Sequence, residues 1–259
     1  MSSITAKFSS ARMITIIASA VAVLLPLAVF AQEAVNVPAR LPGLHSLTLL
    51  RANEPAIHYA ISIPDNYSPR ARVPLILALH FGVGAGTSAG AGRDVVEILI
   101  APALAELGAI IVAPDSMRGD WSSPENERAV NALLAMVLAS YSIDTRKLVV
   151  TGFSMGGTGS WHFAATYPER FSAAIPIAGR PPESALGWRL PILAIHSRND
   201  QVAPIGPTET RIAELRKSGV NAKLIALTGI THYETYRFVD GLRQAVPWLR
   251  EIWNQGFHR

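Results

Sequence analysis

Apolar positions along this chain come as short runs, set off by turn-forming clusters and by longer stretches with helical signals. Residues 73–80 form the clearest run. A continuous apolar segment of that length predicts a central parallel strand buried on both faces. Further buried strands are predicted at 109–113, 147–151, 173–177, 191–196 and 222–227. Ahead of them, 46–51 and 57–63 read as two strands joined by a turn at Asn53-Glu54-Pro55. In the second, Ile57, Tyr59, Ile61 and Ile63 alternate with His58, Ala60 and Ser62, so one face is expected to be less buried. Residues 32–45, with Pro38, Pro42 and Gly43, predict an extended lead-in.

Helices fall between these runs. Asp94 is placed to cap a helix over 95–107, with Gly108 as its stop and Pro102 expected to kink or split it. A second helix is predicted over 125–140, with Ser123 as N-cap and Pro124 at its first position. Others follow from Ser154 to about 167, over 208–218, and in 236–242 and 246–254. After two opening strands, strands and helices alternate. That order predicts an α/β fold: a mainly parallel sheet with helices on both faces. The short segment between the strands at 173–177 and 191–196 leaves little room for a lid, so an open site is expected.

Composition narrows the picture. With 259 residues the chain is long enough for one α/β domain with a sizeable core. It contains no cysteine, which excludes disulfides, thiolate metal sites and a cysteine nucleophile. The net charge is +4 and its positive residues are scattered, so nucleic-acid binding is not indicated.

Residues 1–31 have a different character. Lys7 and Arg12 precede an apolar stretch from 13 to 30, and Val29-Phe30-Ala31 offers a small-residue cleavage site before Gln32. This is the layout of a secretory signal peptide, leaving 32–259 as the mature domain. An uncleaved membrane anchor is the alternative; Pro26 and Ala31 favour removal. The expected location is then secreted or periplasmic, with no membrane attachment after cleavage. An exported enzyme cannot count on nucleotide cofactors.

The chemistry centres on Gly152-Phe153-Ser154-Met155-Gly156, which follows an apolar strand and opens a helix. It fits Gly-x-Ser-x-Gly, the nucleophile elbow, in which the serine occupies a sharp strained turn and glycines remove side chains that would clash. A serine hydroxyl needs a base to take its proton and a carboxylate to orient that base. The expected chain order is serine, carboxylate, histidine. Of the histidines after Ser154, His162 points away along the helix, His258 is at the C-terminus and His196 precedes the best carboxylate. His232 lies in a loop directly after a strand, where ligands gather in such sheets. Asp200 lies in the loop after the strand at 191–196, whereas Glu209 and Glu214 fall on a helix. Asp115 precedes the serine; its plain reading is to hold a turn or loop. The oxyanion donors are expected to be the backbone N–H of Met155 and that of Phe81 or Gly82 in the loop after His80. Gly84-x-Gly86-x-x-Ala89, with Asp115 as a ribose ligand, loosely fits a dinucleotide fingerprint instead. No P-loop and no His-Glu-x-x-His pair occurs.

Residues 57–253 resemble the α/β-hydrolase superfamily, and most closely secreted bacterial esterases near the phospholipase/carboxylesterase, polyhydroxyalkanoate-depolymerase and feruloyl-esterase-like groups. The resemblance is carried by Leu79-His80-x-Gly82-x-Gly84, Ala113-Pro114-Asp115-Ser116 with Trp121, the elbow, Tyr167-Pro168-Glu169-Arg170-Phe171, and His196-x-x-x-Asp200-x-x-x-Pro204. It implies an eight-stranded sheet with one antiparallel strand, Ser154 as nucleophile, Asp200 as acid and His232 as base. The chain departs from that pattern at Phe81, Ser197 and Tyr233, where glycine is usual. The expectation is an exported serine hydrolase acting on a small-molecule or polymeric ester, without cofactor or metal. Trp121 either lines the acyl or alcohol pocket or packs in the interior. The competing expectations are a prolyl-oligopeptidase-like peptidase and a non-enzymatic binding module on the same fold.

Overall fold

Eight strands form one sheet in the computed structural model, which describes residues 41–84, 87–184 and 186–255. The leader at 1–31, most of the lead-in, Gly86 of the dinucleotide-like pattern and His258 lie outside the described residues. The strands are β1 (Gly43–Arg51), β2 (Glu54–Ile63), β3 (Val73–Leu79), β4 (Ile110–Pro114), β5 (Ile143–Phe153), β6 (Ala173–Ile177), β7 (Ile192–Ser197) and β8 (Ala222–Leu227). Their order across the sheet is β1-β2-β4-β3-β5-β6-β7-β8. Of these, β2 runs antiparallel to both of its neighbours, and the pairs from β4 to β8 are parallel.

Strand order positions the site. Because β3 lies between β4 and β5, the carboxyl ends of β3 and β5 sit side by side, with Leu79 in register with Gly152. The loop after His80 and the elbow therefore emerge next to each other at the edge where parallel sheets bind ligands.

The sheet is covered on both faces, which is why its central strands are apolar throughout. In β3, Leu75, Leu77 and Leu79 face one core, with Val130, Leu133 and Val137 of α3 (Pro124–Ser140) and Trp161 and Phe163 of α4 (Met155–Thr166). Ile76 and Ala78 face the other, with Val95, Leu99, Leu104, Leu242, Val246 and Leu249. Full burial of such a side chain contributes roughly 1.5–3 kcal/mol. The remaining helices on that second side are α1 (Ala91–Val95), α2 (Ala101–Leu104), α6 (Val239–Arg243) and α7 (Ala245–Asn254); α5 (Gly206–Lys217) packs on the first through Ile212 and Leu215.

Several boundaries differ from expectation for identifiable reasons. The β1–β2 turn is Ala52-Asn53, with Asn53 at φ 61°, so Glu54 and Pro55 belong to β2. Asp94 is not an N-cap. The helix starts at Ala91 after Gly90, whose φ of 85° suits glycine, and the starting N–H groups find Asp115 instead. Pro102 splits the predicted helix: a π turn over Val96–Ile100 precedes it, α2 contains it, and a 3-10 turn over Ala105–Leu107 ends at Gly108. β5 begins at Ile143, four residues early, because polar Asp144, Thr145 and Arg146 continue the strand. Between β6 and β7 the described residues carry turns and no helix, so no helical lid is inserted there.

Candidate active site

Ser154 stands between β5 and α4 at φ 57° and ψ −113°, a strained conformation for any residue but glycine. Its N–H donates to the Ile177 carbonyl at 2.9 Å, tying the turn to β6. The turn closes only because its flanks are bare. A Cβ on Gly156 would lie 1.9 Å from the Leu79 carbonyl oxygen, and one on Gly152 would lie 2.5 Å from the same atom. These contacts cannot be relieved by a side-chain shift, since the obstacle is backbone.

His232 lies on the loop after β8 and Asp200 on the loop after β7, and the two meet the elbow. His232 Nε2 is 2.8 Å from Ser154 Oγ, and His232 Nδ1 is 2.7 Å from Asp200 Oδ2. An ionised carboxylate only accepts, so Nδ1 carries the proton and Nε2 is left to accept from the serine hydroxyl. Asp200 Oδ1 accepts from the Val202 and Ala203 N–H groups at 2.9 and 2.7 Å. Asp200 and His232 are buried, while Ser154 is half-exposed. Phe153 packs against the imidazole at 5.4 Å between centroids.

The loop after β3 is clamped at its root. His80 is fully buried; its Nδ1–H donates to the Phe81 carbonyl at 2.6 Å and its Nε2 accepts from the Ser116 N–H at 3.0 Å. Burial holds the His80 pKa below its ordinary value, which keeps Nε2 free to accept. Beyond it, Gly82 is exposed and lies so close to the elbow that a Cβ there would be 4.0 Å from the Met155 Cβ. Phe81 is half-buried against the second core. Met155 opens α4, so its N–H is one of those without an acceptor in the helix.

A family model described as the alpha/beta hydrolase fold matches residues 74–202, which hold the β3 loop, the elbow and Asp200.

The chain is an α/β-hydrolase.

Among its relatives, feruloyl esterase C of Emericella nidulans is 30% identical over 151 residues, 57% of this chain. That alignment spans 56% of the relative's length. The fold is also that of Thermogutta terrifontis esterase 2 (TM-score 0.63, 18% identity, 83% of this chain and 97% of that one). A fluorophosphonate-binding serine hydrolase of Staphylococcus aureus is similar as well (TM-score 0.64, 13% identity, 80% of this chain and 98% of that one).

One expectation for this α/β-hydrolase is corrected, at Trp121, and Asp115 takes its plain loop-holding reading. Trp121 does not line a pocket: it is 1% exposed, packs edge-on to His80 at 5.0 Å and donates from Nε1 to the His80 carbonyl at 3.0 Å. It braces the root of the β3 loop from the interior. Asp115 is not a ribose ligand. Its two carboxylate oxygens accept from the Gly90 and Gly92 N–H groups at 2.8 Å each, fixing the loop that the dinucleotide pattern would have used.

Other polar residues around the site were not anticipated from the sequence. Ser197 Oγ donates to the Ile230 carbonyl, Asn199 Oδ1 accepts from Gly229 N–H at 2.7 Å and Gln201 Oε1 accepts from His232 N–H at 3.4 Å. These three, alternating with Arg198 and Asp200, lace the acid loop to the histidine loop. The available signal was that unbroken polar run. Glu234 secures the histidine loop from the other side: it accepts from the Thr231 N–H and hydroxyl and pairs with Arg237. Those bonds, the Thr231 N–H first, pull its carboxyl down to about 2. His196 lies buried behind Asp200. Its Nε2–H donates to the Ala203 carbonyl at 2.7 Å and its Nδ1 accepts from the Thr208 hydroxyl at 3.0 Å. Burial lowers its pKa and keeps it neutral.

Proposed function

We propose that this α/β-hydrolase is a serine esterase that cleaves carboxylic esters through an acyl-enzyme on Ser154. The observation that carries the reading is the unbroken hydrogen-bond chain Ser154–His232–Asp200 on a strained elbow.

In this mechanism Ser154 Oγ attacks the ester carbonyl carbon while His232 Nε2 takes the hydroxyl proton. Asp200 stabilises the imidazolium and keeps its Nδ1–H pointed inward. The N–H of Met155, with that of Phe81 or Gly82, holds the tetrahedral oxyanion. His232 then gives its proton to the departing alkoxide, and the alcohol leaves. A water, deprotonated by His232, attacks the acyl carbon; the acid is released and Ser154 regains its proton. No step requires a group from outside the chain other than water. The feruloyl esterase relative supports an ester rather than an amide as substrate, and the half-exposed serine suits an alcohol or acid part of some size.

The test is hydrolysis of 4-nitrophenyl butyrate by wild type and Ser154→Ala, with a 4-nitroanilide in parallel. Ester turnover lost by a factor of about a thousand or more in the variant supports the reading. Faster cleavage of the anilide favours a peptidase, and absence of turnover on both substrates points to a binding module.

A further inference from the structure

Past β6 the chain folds back over the elbow. Ala178 is buried at φ 49°, a strained value for a residue with a side chain, and its N–H donates to the Ile195 carbonyl at 2.9 Å. A Cβ on Gly179 would lie 2.3 Å from the Gly157 carbonyl carbon, so the backbone is pressed against the first turn of α4. Arg180 follows. Its N–H donates to Thr158 Oγ1 at 2.9 Å, and Thr158 N–H donates to the Ser154 carbonyl at 3.0 Å. The backbone of Arg180 is thus tied to Thr158, which itself lies one helical turn along α4 from the serine.

Its side chain reaches the other half of the site. Arg180 Nη2 donates to the Val202 carbonyl at 3.3 Å, and Val202 N–H is a donor to Asp200. The exposed guanidinium therefore bridges the serine's helix and the acid's loop at the rim. Three arginines of the neighbouring loops and helices are neutralised: Arg198 pairs with Glu209, Arg237 with Glu234, and Arg211, which holds the Pro182 and Glu183 carbonyls, with Glu214. Among the described residues no carboxylate pairs with Arg180, Glu183 of the same loop included. A guanidinium has five N–H donors in a planar fork suited to a carboxylate, and the Val202 carbonyl takes one of them. Hydrolysis of a neutral ester has no use for a permanent cation here.

We propose that Arg180 is a specificity residue that binds a carboxylate carried by the ester substrate. The proposal rests on the esterase reading. The carboxylate can sit on the acyl or on the alcohol part, and substrate pairs separate the two. For the acyl part, 4-nitrophenyl hydrogen glutarate is compared with its methyl ester; for the alcohol part, 4-acetoxybenzoate with its methyl ester. The expected result is a preference in kcat/KM for the anionic member of one pair, carried by KM. Arg180→Ala lowers that preference about tenfold, Arg180→Lys keeps part of it, and added salt erodes it in wild type more than in Arg180→Ala. A purely structural Arg180 would slow both members of each pair equally. That outcome, or unchanged ratios in both pairs, overturns the proposal. Calorimetric binding of monomethyl glutarate to Ser154→Ala, with and without Arg180→Ala, reads the cation without turnover. Arginine-dependent binding in a protein that cleaves no ester would sink the esterase reading and leave Arg180 as an anion site. Ester turnover with binding and ratios both indifferent to Arg180 would sink this proposal alone.

Discussion

Ser154 concentrates the backbone strain of the site at the residue proposed as nucleophile. A positive φ at a residue with a side chain costs about 1–3 kcal/mol, and the bonds of its N–H to β6 and its hydroxyl to His232 hold it there. Asp200 is the most fully engaged of the three, with three acceptor bonds in a buried position. Asp200→Asn should leave the fold in place, remove the charge that holds the Nδ1 proton, and cut kcat by about ten-thousand-fold; steady-state hydrolysis measures it. A loss below tenfold would mean that the carboxylate does not serve His232. At this scale the sequence was legible where chemistry imposes order. Strand ends, elbow spacing and chain order select Ser154, Asp200 and His232, and the structure joins them by hydrogen bonds. It was not legible for Trp121, because an aromatic residue in a strand-end loop can turn either way. Here the Nε1–H finds the His80 carbonyl and the ring fills the interior beside Gly159. Ser197, Asn199 and Gln201 were only half legible: the polar run marks them, but their partners are backbone groups on a loop thirty residues away.

Elements hold these residues through their ends. The start of α1 and the β3 loop are fastened by Asp115 at the end of β4, whose carboxylate stands in for a local N-cap. Asp115→Ala should leave the Gly90 and Gly92 N–H groups without that acceptor and lower stability by about 1–3 kcal/mol, read as a shift of the urea midpoint at constant m-value. An unchanged midpoint would show that the carboxylate holds nothing. The same case shows why Asp94 misled. It has the residue type and place of a cap, but glycine at 90 lets the chain turn a full helical turn earlier, and the cap arrives from across the sheet. Likewise β5 opens on polar Asp144, Thr145 and Arg146 beside a register irregularity between Val73 and Leu75 of β3, so apolar patterning marks only the buried stretch that follows.

Over the whole molecule, the sheet and its two cores were legible, since continuous apolar runs mark strands covered on both faces. Its response to acid follows from two buried neutral histidines. His80 and His196 both have folded pKa values pushed below 6.5 by burial. Below 6.5 the unfolded chain takes up protons that the folded one refuses, so stability falls as pH drops from about 6.5 toward the folded values. Each histidine contributes at most about 1.4 kcal/mol per pH unit in that window. Asp144, held low mainly by its Arg146 hydrogen bond, acts later, below 3.8. Denaturation midpoints should thus decline between pH 6.5 and 5, and His196→Asn should flatten the decline; a flat profile in wild type would contradict the buried neutral histidines. The central claim, that this α/β-hydrolase is a Ser154 esterase, is tested most directly by labelling with a fluorophosphonate and measuring 4-nitrophenyl butyrate turnover on the same samples. The account predicts one adduct per chain, on the peptide holding Ser154, with turnover lost in proportion and neither adduct nor turnover in Ser154→Ala. An unlabelled wild type without ester turnover, or full turnover in Ser154→Ala, would contradict it.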